Sequence, residues 1–418
     1  IYYFKKLKRT LIKSNKSPKE AQEIKMDNYL PKIDYLIKYA NLLVNFCLNN
    51  GRGIQKGECA LVIGLEINRP LYVEVCKAIW RSGGHVIHDF KPNGINVAML
   101  ESSELESLSF YPKAMQDGIV EAMNHIIHIS GPSKMRAFQG IDQNKIAALA
   151  EANNYINSLL GKKSNEGKLS GTMCLYPTPA MAAEVGMDYE DYWQEVIKAL
   201  FLDKPDPIAE WKKVRAQIAA QRDKLNALEI KQLVVSLDGC ELKLDIGADR
   251  QWIMSEGSNM PSFELYITPD WRGTKGTIRF NEPVYWRGDV IKNAELTFKD
   301  GVVTSFNAQE GRHLLEKIIS YENGDKIGEF SLTQGGISPI TKLMGSTLFD
   351  ENRGGPNGNM HIALGGSYRE SFRGSVKPQS DEEWFKLGFN FCKMVHVDIV
   401  NTEPKKIEAI LTDGRVLI

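Results

Sequence analysis

The stretch CALVIGLEINRPLYVEVCKAIWRSGGHVIHDF (59–90) sets an apolar run, a segment of helical period and a second apolar run one after another. CALVIGL (59–65) is short, apolar and bounded by polar residues, the pattern of a buried strand. Asn68 stands where a helix cap is expected. Pro70 falls in the first turn, where its missing N–H costs little. Apolar residues then recur at helical spacing through Trp80, Gly83-Gly84 end the segment, and HVIHDF (85–90) reads as the next strand. Strand, helix, strand in that order predicts a parallel α/β sheet.

The same alternation continues on both sides. Ile33 to Cys47 has helical period, a helix is expected at about 112–123, a strand at HIIHI (125–129), a helix at roughly 143–160 and a strand at GTMCLYP (171–177). Two further helices, DYEDYWQEVIKALF (188–201) and IAEWKKVRAQIAAQRDKLNAL (208–228), flank the proline-broken turn LDKPDP (202–207), and the second is long enough to bridge two domains. Beyond residue 230 the texture changes. VVSLDGCELKLDI, LTFKDGVVTSF and AILTDGRVLI each place Asp-Gly between alternating apolar residues, the signature of tight hairpins. Asn307 and Glu310 are spaced as a capping box ahead of HLLEKII. The expected fold is therefore α/β: an N-terminal α/β domain with a parallel sheet over 26–229, and a C-terminal α+β domain with a mostly antiparallel or mixed sheet over 230–418. Residues 1–25, rich in lysine, read as a leader or a basic extension without chemistry.

Composition agrees with two domains, or three. The chain has 418 residues, 43% of them hydrophobic and 25% charged, with 52 Lys and Arg against 52 Asp and Glu. That balance removes any broad field drawing the molecule to nucleic acid or anionic lipid. Its longest apolar runs are far short of a membrane span. The six cysteines are scattered and never form CxxC, which points to reduced thiols in the cytoplasm.

Several polar residues of the second half suit a divalent metal, which needs carboxylate or imidazole ligands. Glu264 lies in SNMPSFELYITP and Glu329 in KIGEFSLT. Asp350 and Glu351 precede a glycine-rich loop in LFDENRGGPNGNMHIALGGSYRESF (348–372), and His361 and Tyr368 follow it. MVHVDIV places His396 and Asp398 two apart, so in a strand both project from one face while Val395, Val397 and Ile399 face the core. Each has a plainer reading. His361 could be a satisfied surface or core histidine, His396 and Asp398 an imidazole–carboxylate pair, Glu264 and Glu329 solvated strand positions, Asp350-Glu351 a strand end, and Tyr368 a packed ring with its hydroxyl exposed. The pairs His85/His88 and His125/His128 fall on opposite strand faces and read as non-ligands, and His313 as structural. There is no HExxH, zinc-finger spacing or phosphate loop.

Taken in order, NMPSFELYITP, TFKDGVVTSFNAQEG, GEFSL, SPI, STLFDEN, HIALGGSY and HVD resemble the thermophilic-aminopeptidase family of metallopeptidases, of the aminopeptidase T and aminopeptidase S type. KYANLLVNFCLNNGRGIQKGE and LYPTPAMAAEVG extend the resemblance, which runs from about residue 26 to the end. It implies a metal-dependent exopeptidase with two divalent cations in the C-terminal domain, and it maps ligands onto Glu264, Glu329, Glu351, His361, His396 and Asp398. Glu329 would double as proton acceptor, and Tyr368 would donate to the developing oxyanion, a role worth about 2.7–4 kcal/mol. Zinc or cobalt is expected, with manganese and magnesium compatible. The implied substrates are short peptides with a free N-terminus, and the implied assembly is a homodimer, with no nucleic-acid or membrane partner. A related metallohydrolase such as an amidase, or a binding protein whose centre has decayed, are the alternatives. Three departures from the family pattern bear on substrate preference: the long NRGGPNGNM loop, the IVNTEPKK continuation after HVD, and Phe263 where a small or acidic residue is expected.

Overall fold

A computed structural model describes residues 29–417; the expectation for residues 1–25 lies outside them. Cys59–Leu65 pairs in parallel with His85–Lys91 on one side and His125–Ser130 on the other, and Ser170–Leu175 extends the sheet. The helix Arg69–Arg81 forms the crossover between the first two strands. A fifth, short parallel strand, Asn259–Met260, comes from far down the chain. The parallel sheet is thus completed by the half of the sequence that otherwise builds antiparallel ones.

Asn68 does occupy the position before the helix, but its side chain does not cap it. Its amide is buried and donates instead to the Ile129 carbonyl at 2.8 Å, a long-range bond that ties the helix start to the third strand. The helix expected over 143–160 is two, Gln143–Ala152 and Asn154–Asn165, divided at Asn153. The capping box is not formed. The helix is Arg312–Ser320, preceded by Gly311 in the left-handed region, while Asn307 ends a strand. The Glu310 carboxylate pairs instead with Lys292 at 2.7 Å and Arg136 at 2.9 Å. Two cations outcompete a backbone N–H for that carboxylate.

All three Asp-Gly units are hairpins of one seven-stranded antiparallel sheet. In the second of them both Asp300 and Gly301 have positive φ, the backbone of the twist-matched two-residue turn. A third sheet carries the candidate site. Its strands run His396–Asn401, Asn359–Gly365, Ile327–Thr333, Glu264–Ile267 and Ile253–Met254 in spatial order, all antiparallel.

The long helix Pro207–Asn226 starts as the proline turn suggests, with Asp206 accepting from the Ala209 N–H at 3.0 Å. It packs on the helix Ile33–Leu42 and on two strands of the third sheet. Its buried Trp211 lies against Phe263, ring centroids 4.8 Å apart. Phe263 therefore points into the core between helix and sheet. Among the described residues no helix is long and apolar enough to cross a membrane, and all six cysteines are unpaired.

Candidate metal centre

The pairing register of the third sheet decides what its two faces carry. Thr333 lies opposite Glu264, Ser331 opposite Tyr266 and His361, and Glu329 opposite Ala363. Asp398 is opposite Ala363 and His396 opposite Gly365. Directly opposed residues share a face, and so do residues two apart. Glu264, Glu329, His361, His396 and Asp398 therefore project from one face, contributed by four adjacent strands. The other face holds Leu265, Ile267, Phe330, Met360, Ile362, Leu364, Val397 and Ile399, all buried. Burial of that apolar face, at roughly 25 cal/mol per Å², fixes the register and thereby holds the polar face together.

On the polar face Glu329 is central. Its Oε2 lies 3.1 Å from His396 Nε2 and its Oε1 3.6 Å from His361 Nε2. Asp398 Oδ1 is 3.3 Å from His396 Nε2 and 4.0 Å from His361 Nε2, and Glu264 Oε2 is 3.4 Å from His361 Nε2. Two donor groups result, Glu264–Glu329–His361 and Glu329–His396–Asp398, sharing Glu329. Glu351 stands outside both groups but faces the same cavity, of about 420 Å³, beside Tyr368, His396 and Asp398. It is buried at the end of the short helix Thr347–Asp350. The neighbouring Asp350 has a different job. Its carboxylate accepts from the N–H groups of Met344 and Ser346, at 2.6 and 2.9 Å, and closes the preceding loop.

The His396 ring is oriented from behind. Its Nδ1 lies 2.9 Å from the Gly366 carbonyl, so Nδ1 donates there and Nε2 is the nitrogen turned to the Glu329 and Asp398 carboxylates, whose charges hold the imidazole well above its usual value against burial. The glycine pair before Ser367 makes this approach feasible. Gly365 has φ +104°, and a Cβ there would meet the Val395 carbonyl oxygen at 2.1 Å. The Tyr368 hydroxyl lies 3.3 Å from His396 Nε2, its ring edge-on to the imidazole and tilted against Tyr266, with centroids 5.1 and 4.9 Å apart.

The electrostatics are those of a site built for cations. Four carboxylates, Glu264, Glu329, Glu351 and Asp398, share a space drawn out of bulk water. Burial raises the Glu264 carboxyl to about 7, with His361 opposing and Glu329 adding to the shift. Burial also pushes Glu351 well up, helped by the charges of Glu264, Asp398 and Glu329. Burial alone would lower the His361 imidazole, yet Glu329, Glu264 and Asp398 hold it up at about 9. Asp398 resists the same desolvation because His396 faces it, and stays below the usual range. His361 Nδ1 is buried without a hydrogen-bond partner, which costs free energy unless something else satisfies it. Two divalent cations would balance the charge of four carboxylates, and the oxygen and imidazole donors, with no sulfur, suit that class of ion.

Of the eight residues singled out in the sequence, Glu351, Tyr368, His396 and Asp398 line the cavity, Glu264, Glu329 and His361 adjoin them through the donor groups, and Asp350 closes the neighbouring loop. Reading by motif alone passed over Ser331, whose hydroxyl donates to Glu264 Oε2 at 2.9 Å, and Tyr266, which backs Tyr368. Both lie two residues from a named acid on the same strand, so strand period alone would have found them. The long loop 352–360 does not line the cavity. Asn352 accepts from the Phe263 N–H at 2.5 Å, and Asn359 donates to the Glu351 and Arg353 carbonyls at 2.8 and 2.6 Å. These bonds fasten the loop behind the site. His125 is buried between Glu58 Oε2 and Ser170 Oγ, at 2.8 and 2.9 Å, and His313 is exposed on its helix.

Aminopeptidase 2 of Geobacillus stearothermophilus is 28% identical to this chain over 408 residues, covering 91% of this chain and 95% of that protein. Aminopeptidase T of Thermus aquaticus is 27% identical over 257 residues, covering 57% of this chain and 60% of that protein. The solved structure of wild-type AmpT from Thermus thermophilus superposes with a TM-score of 0.77 at 21% identity, over 92% of this chain and 96% of that one, a likeness of fold. The sequence profile of the thermophilic metalloprotease (M29) family matches residues 33–418, and the chain belongs to that family.

Proposed function

We propose that this protein is a metal-dependent aminopeptidase that removes the first residue from short peptides. The observation that carries the reading is the pair of donor groups sharing Glu329 on one sheet face; family membership and the aminopeptidase names of its relatives support it. Glu264, Glu329 and His361 would hold one divalent cation, and Glu329, His396 and Asp398 the other. When bound, such a pair lowers the pKa of water and polarises a peptide carbonyl.

The protein's own groups do the rest. Both oxygens of Glu329 face imidazoles, which leaves that carboxylate poorly placed to take a proton. Glu351, outside both groups yet on the same cavity, is the better acceptor for the proton of the attacking water, so that role moves from Glu329 to Glu351. Burial, with Glu329 and Asp398 nearby, raises the Tyr368 hydroxyl well above its usual value. Tyr368 therefore keeps its proton at neutral pH and can donate it to the carbonyl oxygen as charge develops there. Zinc or cobalt as the cations, a homodimer as the working form and the cytoplasm as compartment complete the reading.

The test is hydrolysis of one peptide with free and with acetylated N-terminus by metal-loaded protein. Release of the first residue from the free peptide alone is expected. Cleavage of the acetylated peptide with rejection of the free one would favour the amidase alternative, and cleavage of neither would favour the decayed binding protein.

A further inference from the structure

The site cavity does not end at the metal centre. Ser130, Tyr285, Ser346 and Thr347 line it and also line a second, larger cavity of about 820 Å³, so the two form one cleft. The larger chamber lies where Cys59–Leu65, His85–Lys91 and His125–Ser130 end, and the crevice at the carboxyl ends of parallel strands is where α/β sheets take ligands.

Size and charge say what it takes. In an aminopeptidase the N-terminal residue is alone on its side of the cleaved bond, so the larger chamber receives the rest of the peptide. Its volume lies within the roughly 300–1,000 Å³ of small-ligand pockets, room for a few residues and not for a long chain. Its wall carries Lys91, Lys134 and Arg136 against a single acid, Glu101. Arg136 is committed to Glu184 and Glu310, and Lys91 to Asp89 at 3.0 Å. Lys134 has no ion-pair partner among the described residues. The anion that a short peptide brings to this end is its C-terminal carboxylate.

We propose that Lys134 recognises the free C-terminal carboxylate of short peptides seated in this cleft, making the enzyme selective for peptides with an ionised C-terminus. The proposal rests on the aminopeptidase reading for the direction in which the peptide lies. Lys134 is exposed and touches none of the reacting groups, so it acts on binding and not on the chemical step.

The experiment compares a tripeptide with its C-terminal amide, and both with an aminoacyl anilide, which carries no C-terminal carboxylate. Substrates are tested on metal-loaded wild type, Lys134→Ala and Lys134→Arg. Calorimetric binding of the tripeptide and its amide to metal-free protein runs beside the kinetics. The free acid should be favoured about fivefold over the amide, mainly through KM, within what one exposed ion pair supports. Lys134→Ala should erase that preference, Lys134→Arg should retain it, and anilide hydrolysis should stay the same in all three. Equal use of acid and amide by the wild type, or an unchanged preference in Lys134→Ala, overturns the proposal while leaving the aminopeptidase reading intact. Absence of any hydrolysis, with acid-selective binding still lost in Lys134→Ala, overturns the aminopeptidase reading and leaves the carboxylate site standing.

Discussion

Glu329 and His396 meet at 3.1 Å, Oε2 to Nε2, although the strand of His361 runs between theirs. Contact across a strand places the two side chains above the sheet, in the same small volume that His361 enters from below. The second oxygen of Glu329 turns to His361. A single carboxylate in the middle strand thereby joins two donor groups.

The hydroxyl of Tyr368 borders the cavity without belonging to either donor group. Tyr368→Phe should lower kcat by about 10²–10³-fold, the range for loss of one oxyanion donor, with metal content at the wild-type level. Mass spectrometry of bound metal alongside steady-state kinetics checks both halves. Loss of metal in this variant would show that the tyrosine serves the ligands and not the substrate.

Stability of the chelated protein should fall as pH rises. Burial lifts Glu264 and Asp350 to about 7 and Glu351 well above its usual range. Folded-state values above those of the unfolded chain mean that the folded protein holds more protons. The stability these groups contribute is full below the unfolded values and is lost as pH rises through about 7. His361, held at about 9, acts in the same direction at higher pH, and the depressed Asp398 acts only on the acid side. Metal-free protein should therefore melt at lower temperature at pH 8 than at pH 6, and divalent cations should shrink the difference. Scanning calorimetry with and without chelator decides it, and a higher Tm at pH 8 in chelator would contradict the account.

Phe263 joins the long helix to the site sheet. It is 2% exposed and packs on Trp211, so Phe263→Ala should cost about 3–5 kcal/mol by cavity formation. Denaturant unfolding measures this. A loss below about 1 kcal/mol would mean that the contact does not hold the helix to the sheet.

How much of this was legible in the sequence follows from the range of each signal. Apolar period over CALVIGL and HVIHDF and the Asp-Gly turns are local, and each became the expected element. His396 and Asp398, two apart, were readable as sharing a face for the same reason. What could not be read locally was competition from elsewhere. Asn68 is drawn off its cap by the Ile129 carbonyl and Glu310 off its box by Arg136, which lies far away in the chain. Nor could the sequence say that Asn259–Met260 completes the first sheet, because two residues carry too little pattern to declare a strand. The separate tasks of Asp350 and Glu351 depend on a loop closure that adjacency alone does not reveal.

The central claim is that Glu329 is shared between two cation sites while Glu351 serves the proton. Metal analysis by mass spectrometry on Glu329→Gln and Glu351→Gln, beside wild type, tests it most directly. Wild type should bind two divalent cations per chain, Glu329→Gln should lose most of both with circular dichroism unchanged, and Glu351→Gln should keep most of its metal while losing turnover. Full metal occupancy in a folded Glu329→Gln protein would contradict the account.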